Sequence, residues 1–220
     1  MKTQNYETIK TAIRYWLLGR GYTVAYTSME YAKHYHNGFR KDGVTPEFQH
    51  QISQMNFART LDKILMHPEE TYATIAMHDL VEDTSVTLVD VEHMLVNDAR
   101  ATDKQVARIL RGVELMTNQV DGVKKELVGY YLEMIEDPIA SIAKGCDRMH
   151  NHQSMGGVFS IKKQESYIQE TDDHILPMLK SARKRWVEQE PAYENIKHVL
   201  LTQMELVTQI IEASTSGEAC

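Results

Sequence analysis

The residues best placed to do chemistry stand in HDLVEDT, His78–Thr84, where a histidine and three carboxylates fall within six positions. On a helix, residues four apart share a face, so His78 lies over Glu82 and Asp79 over Asp83. The apolar run TYATIA, Thr71–Ala76, leads straight into them and carries the segment toward the core. Unpaired charge is costly there. A divalent cation removes that cost, because it binds neutral imidazole and carboxylate and keeps them ionised. A solvated acidic face is the plain alternative, and the apolar run argues against it. One His-Asp pair supplies too few ligands to hold an ion, so partners must come from elsewhere.

Two further stretches can supply them. In IAKGCDRMHNHQSM, Lys144, Asp147 and Asn151 are three and four apart beside Arg148, and the preceding apolar PIASIA turns Asp147 inward. His50 opens another helical segment, in GVTPEFQHQISQMNFA. His50, His78, Asp79 and Asp147 make a set of two imidazoles and two carboxylates. Mixed nitrogen and oxygen ligation with open positions suits Mn²⁺ or Fe²⁺, with Zn²⁺ as a further candidate. His34 and His36 read as structural residues before a glycine turn. Cys146 reads as a small packing residue, and the methionines of 55–77 and 113–134 as core filler.

The elements that must position these groups are helices. Five prolines and eleven glycines interrupt 220 residues, and the apolar periodicity is mostly helical. Helices are expected near residues 9–18, 27–35, 48–65 and from Pro68. Thr87 and Asp90 form a capping-box pattern. Further amphipathic segments span 102–116, 122–135, 138–152, 160–184 and 192–213. No stretch shows strand alternation, and the tail STSGEA is expected to fray. The expected fold class is all-α, a single-domain helical bundle. Residues 1–24 form a helix packed on the domain, 25–184 the core, and 185–220 a C-terminal helix and tail.

Composition limits the function classes. The net charge of −7 gives no basic field for nucleic acid, so no nucleic-acid partner is expected. Two distant cysteines, Cys146 and Cys220, argue against a disulfide framework and for a reducing compartment. The N-terminus lacks an apolar signal core and no run reaches membrane-spanning length. A soluble, cytoplasmic protein without a membrane partner is expected.

The order His50…His78-Asp79…Asp147 resembles that of the HD superfamily of metal-dependent phosphohydrolases. The fuller pattern is narrower. HNGFRKDG, FQH, HDLVEDT and KGCDRMHN together resemble the hydrolase domain of RelA/SpoT-type alarmone enzymes, and ETDDHILP matches that family's E-T…P placement. The resemblance covers most of the chain, and the small single-domain alarmone hydrolases match it best. It implies an HD-type bundle and manganese-dependent removal of the 3′-pyrophosphate from (p)ppGpp, the stringent-response nucleotide. His50, His78, Asp79 and Asp147 would hold the metal, and Glu82 and Asp83 would handle protons. Arg40 and Lys41 of the RKDG turn, with Lys144 and Arg148, would clamp pyrophosphate or stack on the base. Asn151 matches a nucleoside-contacting asparagine, Ser154 stands where a threonine is common, and Asp42 lies within reach of the base.

Three departures bear on the substrate. Gln51 follows His50 where the family usually has proline. His152-Gln153 replaces Met-Arg, which removes a positive charge near the nucleoside, and Asp42 enters the RKxG turn. An adenosine analogue or another 3′-phosphorylated nucleotide would fit the same metal set. Two other readings stand beside this one: an HD nucleotidase or dNTP triphosphohydrolase cleaving at the 5′ side, and a silent nucleotide-binding fold. The EDT extension and the RKDG turn favour the pyrophosphohydrolase. A homo-oligomer, and functional opposition to an alarmone synthetase, are both compatible with it.

Overall fold

The computed structural model describes residues 5–40, 43–120, 123–156 and 158–217. The chain is all-α. Helix α1 (Tyr6–Arg20) starts where the Asn5 side chain accepts the Glu7 N–H and stops at Gly21, whose φ of 75° is the left-handed cap glycine takes freely. Helix α2 is Thr23–Tyr35. Helix α3 (Gln49–Ala58) tightens into a 3₁₀ stretch, Arg59–Ile64, so the expected continuous helix of 48–65 is two pieces.

Pro68 opens α4 (Pro68–Met77), with Glu69 and Glu70 in the first turn facing the positive end of the helix dipole. Every α4 residue from Glu70 onward is buried. The helix breaks at the His78-Asp79 pair before a single turn, α5 (Leu80–Asp83). The continuous acidic helix expected there is therefore a junction, although the Asp83 N–H still reaches the Asp79 carbonyl at 2.8 Å.

Capping boxes open the next two helices. Thr87 and Asp90 start α6 (Leu88–Asn97), as expected, and Thr102 with Gln105 starts α7 (Asp103–Met116). An antiparallel pair of two-residue strands follows, β1 (Gln119–Val120) and β2 (Val123–Lys124), with Gln119 opposite Lys124. Helix α8 (Leu127–Ile135) thus begins five residues later than expected. The Asp-Gly at 121–122 is the hairpin signal that the helical reading passed over.

Helix α9 (Pro138–Ser154) carries proline at its first position, and its Asp137 cap accepts the N–H groups of Ile139 and Ala140 at 2.9 and 2.7 Å. Helix α10 (Ile161–Glu170) passes through a π-helical stretch, Thr171–Ile175, into α11 (Leu176–Arg185). Pro177 lacks the N–H that the preceding turn would use, which accounts for the loosened register. Helix α12 (Glu190–Gly217) is longer than expected: residues 214–217 are helical rather than frayed.

Helix α9 is the axis of the molecule. Helices α3, α4, α7, α8, α11 and α12 all pack against it. Ile52, Met55, Ile75, Met77, Ile142 and Cys146 are wholly buried around it, which fits the reading of the methionines and Cys146 as packing residues. Ile13 and Leu17 of α1 and Ile196 and Leu200 of α12 enter the same core, so the terminal helices are part of one hydrophobic unit. Among the described residues, no helix is long and apolar enough to cross a membrane.

Two glycines set the close approaches. A Cβ on Gly112 of α7 would stand 2.7 Å from Thr74 Oγ1 of α4. One on Gly145 of α9 would stand 2.8 Å from Ile196 Cγ2 of α12. Gly112→Ala is expected to lower the unfolding free energy by about 1–3 kcal/mol through overpacking, although alanine is the better helix former. Adding Thr74→Ala should recover most of the loss. Denaturant unfolding of the three chains checks this, and a neutral Gly112→Ala would mean that α4 and α7 part without cost.

Candidate metal centre and cleft

Three elements bring the expected ligands together. His50 comes from the first turn of α3, His78 and Asp79 from the α4–α5 junction, and Asp147 from the middle of α9. His50 Nε2 lies 3.0 Å from Asp147 Oδ1 and 3.9 Å from Asp79 Oδ2. His78 Nε2 lies 3.0 Å from Asp79 Oδ1 and 3.9 Å from Asp147 Oδ1. Donors each about 2.1 Å from one ion can be no more than about 4.2 Å apart. Each of these pairs satisfies that bound, so His50, His78 and Asp79 could hold a divalent cation, with Asp147 Oδ1 beside the two imidazoles. His50, His78 and Asp79 also offer donor atoms that all lie within 4.8 Å of one another.

Each of the four side chains has further polar neighbours. His78 Nδ1 donates to the Ile75 carbonyl at 2.8 Å, which leaves Nε2 facing the cluster. That Nε2 is buried, and it has no hydrogen-bond partner among the described residues despite its closeness to Asp79. His50 Nδ1 meets His150 Nδ1 at 2.7 Å, and Gln54 Nε2 approaches His50 Nε2 at 2.6 Å. Gln51, the residue in place of proline, donates to Asp79 Oδ2 at 3.1 Å. Lys144 Nζ holds Asp147 Oδ2 at 3.1 Å and the Asn151 amide holds Oδ1 at 2.9 Å.

The electrostatics follow from this crowding. Burial works against charge on His78, but Asp79 and Asp147 outweigh it and raise the imidazole to about 9. Burial opposes the charge on Asp147 too, and Lys144 followed by His50 holds its carboxyl well below the usual range. Burial, reinforced by Asp79 and Glu82, pushes the Asp83 carboxyl up to about 6. His150 is pulled down to about 3 by burial, then by His50 and Arg40, so it stands neutral behind His50. The cluster is an excess of negative charge held by protons and Lys144, which is the balance a cation would replace.

The four donors lie in a cleft of about 670 Å³. Arg40, Glu82, Asp83, Lys144, Arg148 and Asn151 all line it. Glu82 Oε2 accepts the Asn118 N–H at 3.0 Å, which ties α5 to the start of the hairpin. Arg40 keeps a buried Nη1 without a partner among the described residues. Lys144 and Arg148, expected as free clamps, are engaged: Lys144 by Asp147, and Arg148 by Glu170 at 2.7 Å. Ser154 is not among the residues lining the cleft. Lys41 and Asp42 lie outside the described residues.

Several lining residues escaped the sequence reading. Glu47, Lys124, Phe159, Lys163 and Tyr167 come from a loop, the hairpin and α10, none of which carried a ligand-type spacing. Glu170 had only the E-T pattern to mark it. It anchors Arg148 and accepts the Tyr131 hydroxyl at 2.6 Å. His36, read as structural, is buried beside Phe48 and also lines the cleft.

The His152-Gln153 departure falls elsewhere. His152 is 3% exposed and absent from the cleft lining, with Nε2 2.8 Å from Thr171 Oγ1. Burial, then Arg148, pulls it down to about 4. The chain matches no protein-family model, and no curated protein matches it.

Two outcomes test the centre and its support. Asp147→Ala is expected to weaken Mn²⁺ binding, read by paramagnetic resonance titration, by more than the roughly 10–100-fold typical of losing a supporting residue. Asn151→Ala should fall within that range, and full affinity in Asp147→Ala would remove Asp147 from the ligand set. The depressed His152 favours the fold above the ordinary histidine value of 6.5, and that stability is lost as pH falls toward about 4. Relative to a His152→Asn variant, the chain should therefore lose about 3 kcal/mol of unfolding free energy between pH 7 and pH 4. A pH-independent difference would show that His152 is not buried neutral.

Proposed function

We propose that the chain is a metal-dependent phosphohydrolase that removes the 3′-pyrophosphate from a purine nucleotide of the (p)ppGpp type, as the RelA/SpoT-like motifs imply. The observation that carries this reading is the convergence of His50, His78, Asp79 and Asp147 in a cleft whose lining also holds Arg40, Lys124 and Lys163. Mn²⁺ is the expected ion, with Fe²⁺ or Zn²⁺ as substitutes for the same donor set. A divalent cation held there would supply Lewis acidity toward a phosphate oxygen and a more readily ionised water.

The chain's own residues supply the rest. Arg40, Lys124 and Lys163 line the cleft and can neutralise phosphate oxygens. Lys144 and Arg148 act through their carboxylate partners: Lys144 steadies Asp147, and Arg148 ties α9 to Glu170. The Arg148 guanidinium lies 4.7 Å over the Tyr167 ring, which packs against Phe159 at 5.4 Å. These rings offer a nucleobase an apolar surface. Glu82, held by the Asn118 N–H, and Asp83 are the carboxylates placed to take a proton from water or return one. In the reaction water adds at the phosphorus on the 3′ oxygen and the P–O3′ bond breaks. The 3′ oxygen takes a proton, and pyrophosphate leaves.

The test is a product-resolved assay with Mn²⁺ and ppGpp, pppGpp or dNTPs. Pyrophosphate with GDP or GTP is the expected outcome. Nucleoside with triphosphate from dNTPs would establish the 5′-side nucleotidase instead, and tight ppGpp binding without turnover would establish a silent binding fold. Glu82→Gln is expected to keep Mn²⁺ and lose about 10²-fold or more in rate. Undiminished turnover would leave Asp83 as the proton carrier.

A further inference from the structure

One turn of α9 holds both nitrogens of a single imidazole. Asp147 Oδ1 lies 3.0 Å from His50 Nε2, and His150, one turn on, places its Nδ1 2.7 Å from His50 Nδ1. The two histidine rings are inclined at 66° with centroids 4.8 Å apart, so they meet through these nitrogens and not as a stack. Both residues are buried. His50 belongs to α3 and stands 100 residues before His150, so the contact is tertiary and joins two helices.

A nitrogen–nitrogen contact this short has room for one hydrogen. Two N–H groups would collide there, and two bare nitrogens would repel. A cation on His50 Nε2 needs that nitrogen bare, which puts the hydrogen of the neutral ring on Nδ1. The shared hydrogen then belongs to His50. His150 must accept it on a bare Nδ1 and carry its own hydrogen on Nε2. The Gln54 amide points to the same tautomer: its nitrogen stands 2.6 Å from His50 Nε2 and can donate only to a bare nitrogen.

We propose that His150 is the positioning residue of His50: by accepting its Nδ1–H, it fixes the tautomer and the ring orientation that turn Nε2 toward the ion. The inference rests on the metal-dependent reading above. Histidine ligands commonly donate their second N–H to a carboxylate, a backbone carbonyl or water. His78 does so through the Ile75 carbonyl, whereas His50 has an imidazole in that place. His150 is not among the residues lining the cleft, so it acts through His50 and not on a substrate. The adjacent Asn151 supports Asp147 from the same turn, and the pair of neighbours serves two members of the cluster.

The test reads metal binding and the position of one proton rather than hydrolysis. The full chain, isotopically labelled at histidine nitrogen, is loaded with diamagnetic Zn²⁺ for magnetic resonance, and Mn²⁺ affinity is titrated by paramagnetic resonance. The loaded chain is expected to show a slowly exchanging proton on His50 Nδ1, coupled across the hydrogen bond to His150 Nδ1. His150→Leu should lose that proton signal and weaken Mn²⁺ binding by roughly 10–100-fold. His150→Asn, whose amide oxygen can stand where Nδ1 stood, should recover most of the affinity. A proton on His50 Nε2 in the loaded chain would overturn the proposal without any substitution. Undiminished affinity in His150→Leu, or an Asn variant as weak as the Leu variant, would overturn it while leaving the metal centre in place. If the unsubstituted chain took up neither Zn²⁺ nor Mn²⁺, the metal centre and this inference would fall together.

Discussion

Two carboxylates, the buried Asp147 and the partly exposed Asp79, flank the same two imidazoles, and the groups around them compensate their charge. Like charges on one cluster repel. Two imidazoles, one lysine and two side-chain amides therefore crowd onto them from α3, α4 and α9. Each compensating group needs its own support. His78 leans on a backbone carbonyl, and His50 leans on His150 and Gln54.

Helix α9 divides the molecule chemically. Lys144, Asp147, Arg148 and Asn151 follow one another at spacings of three, one and three, and look into the charged cleft. Met149, His150, His152 and Gln153 occupy the other side, along a separate cavity of about 640 Å³ that has no Asp, Glu, Lys or Arg among its lining residues. A helical period of 3.6 residues lets one segment serve two solvents in this way. The same geometry explains why a sequence change beside the motif need not touch the motif's business. His152-Gln153 replaces residues expected to face a nucleoside, yet in this chain the pair turns to the far side.

The legible part of the sequence was the part with local causes. Capping by Thr87 and Asp90, proline at the start of α4 and α9, and apolar periodicity each act within a few residues, and the all-α class followed from them. The convergence of His78, Asp79 and Asp147 was legible because polar groups behind apolar runs are carried toward the core, whereas His50 had only its place at the start of a helical segment. The break at His78-Asp79 was not, since Asp79 stays right-handed at φ −93° and its departure depends on packing. Nor were Lys124, Lys163 and Tyr167, which owe their place in the cleft to how the hairpin and α10 fold back. The engagement of Arg148 was hidden for the same reason, since Glu170 is 22 residues away in the chain, whereas Lys144 and Asp147 stand three apart on one helical face.

Gly145 gives α12 an unusually direct hold on this apparatus. With no side chain between them, the α9 backbone rests on Ile196, one residue from Lys144 and two from Asp147. Close-packed matter of this kind is nearly incompressible, so a displacement there has no soft layer in which to dissipate. A bend or tilt of the long terminal helix would be felt as a change in the backbone that carries the aspartate, which makes the mechanical reach of α12 longer than its chemical one.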